Sequence, residues 1–233
     1  MLKIAITGSS GFLASHTIKQ LIKAGHQVIP VTRQNLLGAV QVKDYRDTPS
    51  ADLLIHLAEE PDPQKVNKIG RKYIEYSSTI LAILTEKFNG NVLYVSSGTV
   101  YGDQEEEPYT INSPTYASDI YSESKITNEK IVLKSGGAVL RLSNLYGKGM
   151  SSNNVMSNII KQLQVDDEIV VNDVSPIRDF VMAADVAKLL SIMVQLKSKG
   201  IVNVGSGVPT SIYQLIKIFL KVGNHLEKKI VSK

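Results

Sequence analysis

The chain has 233 residues, 43% hydrophobic and 21% charged, which suits one large globular domain or a domain with a small appendage. It carries a net charge of +4 and no cysteine, so disulfides and thiolate chemistry are excluded. No apolar run approaches about 18 residues, so no transmembrane helix or membrane partner is expected.

The N-terminus enters a strand at once and has no signal-peptide pattern, which points to a cytoplasmic protein. The histidines His16, His26, His56 and His225 are scattered, without metal-ligand spacing, so no metal is expected. Lys217, Lys221, Lys228, Lys229 and Lys233 concentrate positive charge near the end. No aromatics are interleaved to stack on bases, so nucleic acid is not the expected partner. A basic surface also suits a small anionic substrate.

Apolar residues follow Lys3 and run up to Ile6, then come Thr7-Gly8-Ser9-Ser10-Gly11 and a helical pattern over Phe12 to Ala24. That predicts a strand, a tight loop and a helix N-terminus. Gly8 permits a sharp turn, and Gly11 leaves room for a phosphate at the helix dipole. The spacing is Gly-x-x-Gly-x-x-Ala rather than the common Gly-x-Gly-x-x-Gly, so a ligand-free glycine turn is the alternative. Leu13, Ile18, Leu21 and Ile22 supply the apolar face of the helix. The second strand, Gln27 to Thr32, contains an awkward Pro30, tolerable near an exposed end. Its tip reads Thr32-Arg33, with no carboxylate. NAD enzymes usually place an acid there for the ribose hydroxyls, whereas an arginine pairs with a 2′-phosphate. Arg33 therefore leans to NADP over NAD, with a solvated surface arginine as the alternative.

A short strand is expected at Val40 to Val42, then Asp44-Tyr45-Arg46-Asp47, with no room for a full crossover helix. Asp52 to Ala58 reads as the fourth strand and its exit. Pro61-Asp62-Pro63 reads as a loop, Lys72 to Phe88 as a helix, and Val92 to Ser96 as the fifth strand. Strands alternating with helices predict an α/β fold, a doubly wound parallel sheet covered on both faces. Ser96 to Gly102 leaves the carboxyl end of the fifth strand, where open α/β sheets bind ligands. After an acidic loop from Glu105 to Pro114, Tyr121-Ser122-Glu123-Ser124-Lys125 opens a helix. Tyr121 and Lys125 share one face at i, i+4. An ammonium near a phenol favours the phenolate, lowering its pKa from about 10 towards neutral. Such a tyrosine can act as a general acid or base. Ordinary packing on a helix surface is the alternative. Later segments read as a helix at Val155 to Leu163, a strand at Ile169 to Val171, a helix at Ala184 to Leu196 and a strand at Ile201 to Val204. The last helix starts near Pro209, with Thr210 or Ser211 as N-cap.

These motifs together resemble the extended short-chain dehydrogenase/reductase family, the group of nucleotide-sugar epimerases and dehydratases. The matching stretches are Thr7 to Ala14, Asp52 to Ala58, Ser96 to Gly102, the Tyr121/Lys125 pair, Leu140 to Gly147, Arg178-Asp179-Phe180-Val181 and Asn203 to Gly207. The resemblance implies a Rossmann-type dinucleotide-binding domain over 1–147, with some later segments returning to it. A small, shortened substrate lobe would take 148–233, leaving a pocket that is open or completed by a second subunit, as in a homodimer. It implies catalytic roles for Ser97, Tyr121 and Lys125. Ser97 would hold the substrate oxygen, Tyr121 would exchange its proton, and Lys125 would also hold the nicotinamide ribose. It implies cofactor contacts from Gly8, Ser10, Gly11, Phe12, Leu13, Arg33, Asp44, Tyr45, Leu57, Ala58, Tyr121 and Lys125. Substrate contacts would come from Ser97, Asn144 and Arg178, the last two at the nucleotide diphosphate. Arg178 in a structural ion pair with Asp179 or Asp185 is the alternative.

The chain also departs from the family. Gly98 and Thr99 stand where dehydratases carry an acidic pair, which disfavours sugar 4,6-dehydration. Tyr76-Ser77-Ser78-Thr79 lies where a relative usually supplies an asparagine. The expected activity is hydride transfer with NADP or NAD on a nucleotide-linked sugar, as an epimerase or a 4-ketoreductase. A cofactor-binding sensor or scaffold without turnover is the alternative from another class.

Overall fold

The computed structural model describes residues 1–103, 108–165 and 167–233. Residues 105–107 of the expected acidic loop lie outside them. The first elements are β1 (Lys3–Thr7), α1 (Phe12–Lys23), β2 (Gln27–Thr32), β3 (Val40–Gln41), β4 (Leu53–His56), α2 (Pro63–Ile69) and α3 (Arg71–Lys87). There follow β5 (Val92–Ser97), α4 (Ile120–Lys134), β6 (Ala138–Leu142), β7 (Asn144–Tyr146), α5 (Val155–Val165) and β8 (Glu168–Val171). The chain ends with β9 (Ile177–Met182), α6 (Ala183–Leu196), β10 (Gly200–Val204), β11 (Pro209–Ser211), α7 (Ile212–Gly223) and β12 (Lys229–Ser232). Two compact units result: Met1–Leu142 with Ala184–Val204, and Ser143–Ala183 with Gly205–Lys233.

The first unit is built on a seven-stranded sheet in the order β10-β6-β5-β4-β1-β2-β3, parallel throughout. Strand order reverses between β1 and β4, the position where a doubly wound sheet binds ligands at its carboxyl edge. The strands are apolar runs because helices cover them: Ile4, Ile6, Leu54, Ile55 and Leu140 are fully buried. Ile80, Leu81 and Leu84 of α3 and Val132 of α4 pack with Ala5, Leu54, Tyr94 and Val139 of the sheet in one core. Pro30 pairs with Ile6 of β1, while β3 pairs only with Val31 and Thr32, so Pro30 lies beyond that second ladder.

Two local expectations change. The buried stripe of α1 is Leu13, Ala14, Thr17 and Leu21, and Ile22 is 58% exposed. Pro61-Asp62-Pro63 is not simply a loop: Asp62 caps Gln64 N and Pro63 occupies the first turn of α2. Proline suits that position because its missing N–H would be unpaired there anyway.

In the second unit, β9 pairs parallel with β7 and antiparallel with β11, and β8 pairs parallel with β12. Helices α5 and α7 bury Met156, Ile159, Leu163, Leu215, Ile216 and Leu220 against Ile169 and Val171 of β8. Ser211 caps α7 in a capping box with Gln214, as one of the two expected caps.

Candidate active site

The turn after β1 is shaped by two glycines. Gly8 has φ +70°, and a Cβ there would meet the Leu57 carbonyl oxygen at 2.7 Å. Only glycine fits that conformation and that approach to the exit of β4. Gly11 is the N-cap of α1 and offers no side chain to the first-turn N–H groups, and that turn holds no acid. The buried Ser9 hydroxyl has no hydrogen-bond partner. An open helix N-terminus behind a tight glycine turn and an orphaned hydroxyl together fit a pyrophosphate. Ser10 is exposed beside this loop and accepts from Thr32 Oγ1, Phe12 stacks edge-on to His16, and Leu13 is buried. Leu57 N donates to Thr7 Oγ1, which ties the exits of β1 and β4 together, with Ala58 following.

At the far tip of the sheet, Arg33 is exposed and its guanidinium carbon lies 5.3 Å over the Tyr45 ring. Tyr45 itself is core, edge-on to His56. Asp44 takes two hydrogen bonds from the Arg46 guanidinium, at 2.9 and 3.1 Å. The bonded Arg46 guanidinium holds the Asp44 carboxyl below its ordinary range, with Arg33 adding to the effect. Arg33, Asp44 and Tyr45 thus form one cluster, with Arg33 its outward-facing member.

Helix α4 presents an unusual buried face: Tyr121, Ser122, Ser124, Lys125, Asn128, Glu129 and Val132. Asp119 caps the helix in a capping box with Ser122. Asn67 of α2 accepts from Tyr121 N at 3.0 Å and donates to Asp119 Oδ2 at 2.9 Å, bracing the turn that carries Tyr121. The Lys125 ammonium lies 5.7 Å from the Tyr121 ring centroid and donates to Val95 O of β5 at 3.2 Å. Lys125 is also ion-paired to Glu59, with side chains 8% and 7% exposed. Glu59 accepts further from Tyr94 OH at 2.9 Å and from Asn128 Nδ2 at 2.6 Å. Burial opposes the Glu59 charge, but the Lys125 ammonium outweighs it and the carboxyl titrates below its ordinary range. Burial likewise opposes the Lys125 charge, and Glu59 raises its pKa well above the lysine norm. Burial and then Glu59 push the Tyr94 phenol up.

Glu59, Asn128 and Tyr94 were not among the expected site residues. The available signal was the acid pair Glu59-Glu60 directly after β4, at the carboxyl edge of the sheet. The altered Tyr76 to Thr79 stretch also finds its place here, since Ser77 of α3 is buried and accepts from Asn128 at 3.3 Å. Ser97 ends β5, and its hydroxyl accepts from Thr99 N at 3.3 Å and Thr99 Oγ1 at 3.0 Å, capping the 3₁₀ turn Gly98–Tyr101.

In the second unit, Asn144 and Arg178 line one hollow of about 800 Å³ with Asn153, Asn158, Asn172 and Phe180. The Arg178 guanidinium donates to the Ile177 carbonyl at 2.7 Å, and no ion pair joins it to Asp179 or Asp185 among the described residues. Asp179 instead accepts from Ser206 N at 2.8 Å, Gly207 N at 2.7 Å and Ser143 Oγ at 3.1 Å. Burial works against its charge, but those N–H groups hold its carboxyl below the ordinary range. A Cβ on Gly205 would strike the same carboxylate at 2.6 Å. The Arg-Asp-Phe-Val and Gly-Ser-Gly stretches therefore meet at Asp179.

A profile of the NAD dependent epimerase/dehydratase family matches residues 4–205. The UDP-glucose 4-epimerase of Bacillus subtilis is 23% identical, with the match covering 94% of this chain and 81% of that protein. The GDP-6-deoxy-D-mannose reductase of Pseudomonas aeruginosa is 27% identical, covering 99% and 83%. The crystal structure of UDP-glucose 4-epimerase with UDP-glucose from Thermotoga maritima superimposes with a TM-score of 0.87 at 20% identity, covering 99% of this chain and 85% of that one.

Proposed function

Because this chain belongs to the NAD dependent epimerase/dehydratase family, whose relatives are enzymes of nucleotide sugars, we propose that it transfers hydride at a nucleotide-linked sugar through Ser97, Tyr121 and Lys125. The observation that carries this reading is the Tyr121–Lys125 pair, its ammonium 5.7 Å from the phenol ring. A bound nicotinamide dinucleotide supplies or removes the hydride. The turn at Gly8, Ser9, Ser10 and Gly11 holds its pyrophosphate, with Phe12, Leu13, Leu57 and Ala58 around it. Tyr121 gives or takes the proton of the sugar oxygen, which Ser97 orients by a hydrogen bond. Lys125 contributes charge at the phenol and a donor to the ribose. Asn144 and Arg178 take the nucleotide diphosphate, for which a guanidinium suits two-pronged binding.

The residues Gly98 to Gly102 hold no carboxylate, which argues against 4,6-dehydration. Arg33 and the absence of an acid at Thr32-Arg33-Gln34 favour NADP. Arg33→Ala should then weaken NADPH binding by about 1.5–3 kcal/mol while NADH binding changes little. Equal losses for both cofactors in a binding titration would remove the NADP assignment.

Turnover on a panel of nucleotide sugars, with and without added NADPH, tests the whole reading. Epimer formation without net cofactor consumption would identify an epimerase. Stoichiometric NADPH oxidation on a 4-keto sugar would identify a reductase. Cofactor binding without turnover on any member would overturn the enzymatic reading.

A further inference from the structure

Glu59 lies three residues beyond β4, and its side-chain partners all come from other elements. Lys125 and Asn128 reach it from α4, and Tyr94 from β5. The other titratable groups facing it are His56 of β4 and Tyr73 of α3, while Tyr121 of α4 faces the Lys125 ammonium. Burial lowers His56 to about 4, so it is neutral at pH 7, and Lys125 is the cation in direct contact with Glu59. The neighbouring Glu60 is turned towards Lys65, which is largely exposed.

A buried carboxylate in contact with a buried ammonium forms a unit without net charge. At the Tyr121 ring, such a unit exerts a much weaker field than a bare ammonium at the same distance. A bare ammonium pulls a phenol towards phenolate, the state that removes a proton from a carbinol. A compensated one exerts that pull more weakly.

We propose that Glu59 is a positioning residue: it fixes the Lys125 ammonium against β5 and offsets its charge at Tyr121. This rests on the Ser97–Tyr121–Lys125 reading and adds a fourth group to it. Asn128 and Tyr94 hold the Glu59 carboxylate in place, so that it cannot turn away from Lys125 without losing both bonds.

The test is an ultraviolet titration of tyrosine ionisation on the full chain, which needs no substrate. Glu59→Gln keeps the shape and the acceptor but removes the charge. Beyond burial, Glu59 also raises Tyr94 and Tyr73, so the readout is a double-variant cycle. Tyrosine ionisation should move to lower pH on Glu59→Gln, with one tyrosine shifting by about one to three pH units, and that shift should be lost when Tyr121→Phe is added. Glu59→Asp withdraws the carboxylate by one methylene and should move the titration the same way by less. A Glu59→Gln protein that titrates like the parent, or a shift that Tyr121→Phe leaves undiminished, overturns the proposal. Should circular dichroism find Glu59→Gln unfolded, Glu59→Asp decides alone, and an unmoved titration overturns the proposal. Failure of turnover on every nucleotide sugar would remove the proposed function while leaving the titration result intact. A null titration in an active enzyme would remove only the role of Glu59.

Discussion

Helix α4 carries two buried ion pairs one turn apart, and they are built differently. Glu129 is gripped by a fork: Arg141 of β6 donates Nε to both carboxylate oxygens at 3.1 Å and Nη2 to one at 2.7 Å. Ser96 donates to the same carboxylate, and the remaining guanidinium arm reaches Tyr101 OH at 2.8 Å, which in turn donates to Asn203. Planar guanidinium and carboxylate lock each other's orientation, and the network joins β5, β6, β10 and α4. Lys125 is instead a point charge on a flexible stem, between Glu59, Val95 O and the faces of Tyr94 and Tyr121. An ammonium can exchange one acceptor for another by a small rotation, while a fork cannot. The comparison suits the Arg141 pair to architecture and the Lys125 pair to the chemistry proposed for it.

The largest expected difference between them is in turnover. Tyr121→Phe keeps the ring that faces Lys125 and deletes the proton. Turnover should fall by about 10²–10⁴-fold, with the fold and cofactor binding nearly intact. Lys125→Met should reduce turnover and cofactor affinity together. Combining the two should cost less than the sum of the separate barriers, because the residues act as one unit. Parent-like turnover by Tyr121→Phe on a confirmed substrate would break the comparison on its catalytic side.

The Arg141 side breaks through stability. Arg141→Leu leaves Glu129 buried without its fork and should cost about 3–5 kcal/mol in chemical denaturation. Arg141→Leu with Glu129→Leu removes both charges and should recover most of that loss, since two apolar side chains replace a desolvated pair. Any folded variant should keep the parent's affinity for cofactor. A double variant no more stable than the single one, or a selective loss of cofactor binding, would show that the Arg141 pair does more than hold strands together.

Much of this arrangement is legible in the sequence where it is local. The glycine turn lies within a few residues, and the Tyr121–Lys125 face follows from helical spacing alone. The parallel sheet follows from strands alternating with helices. Partners far apart in sequence are not legible that way. Glu59 reaches Lys125 across 66 residues, and nothing in the acid pair Glu59-Glu60 says which member turns inward. Asp179 beside Arg178 reads as an ion pair, yet backbone N–H groups 27 and 28 residues later claim the carboxylate. Helix α2 hides behind two prolines because Pro63 at a first helical turn looks like a loop residue until the Asp62 cap is seen. The buried face of α4 defeats hydrophobic periodicity altogether, because it is lined with Ser, Lys, Asn and Glu.

The smallest effect concerns the histidine beside the Lys125 pair, and its sign follows from burial. His56 stacks on Tyr94 at 6.2 Å and bonds Thr7 Oγ1 at 2.9 Å. Burial lowers its pKa to about 4, Lys125 adds to the lowering, and Glu59 opposes it. In the unfolded chain a histidine titrates near about 6.5. Above that pH both states hold it neutral, and its full contribution to stability is present. As the pH falls below it, the unfolded chain takes up a proton that the folded chain refuses until about pH 4. Stability should therefore decline through that window, by about 2 kcal/mol at pH 5 from this one residue, and level off below it. Denaturant unfolding at pH 7.5 and pH 5 should show this loss in the parent and a smaller one in His56→Gln, which keeps a polar side chain for Thr7 but does not titrate. If His56→Gln lost as much stability on acidification as the parent, the charge balance around Glu59 would have to be drawn differently, with His56 protonated and sharing the carboxylate with Lys125.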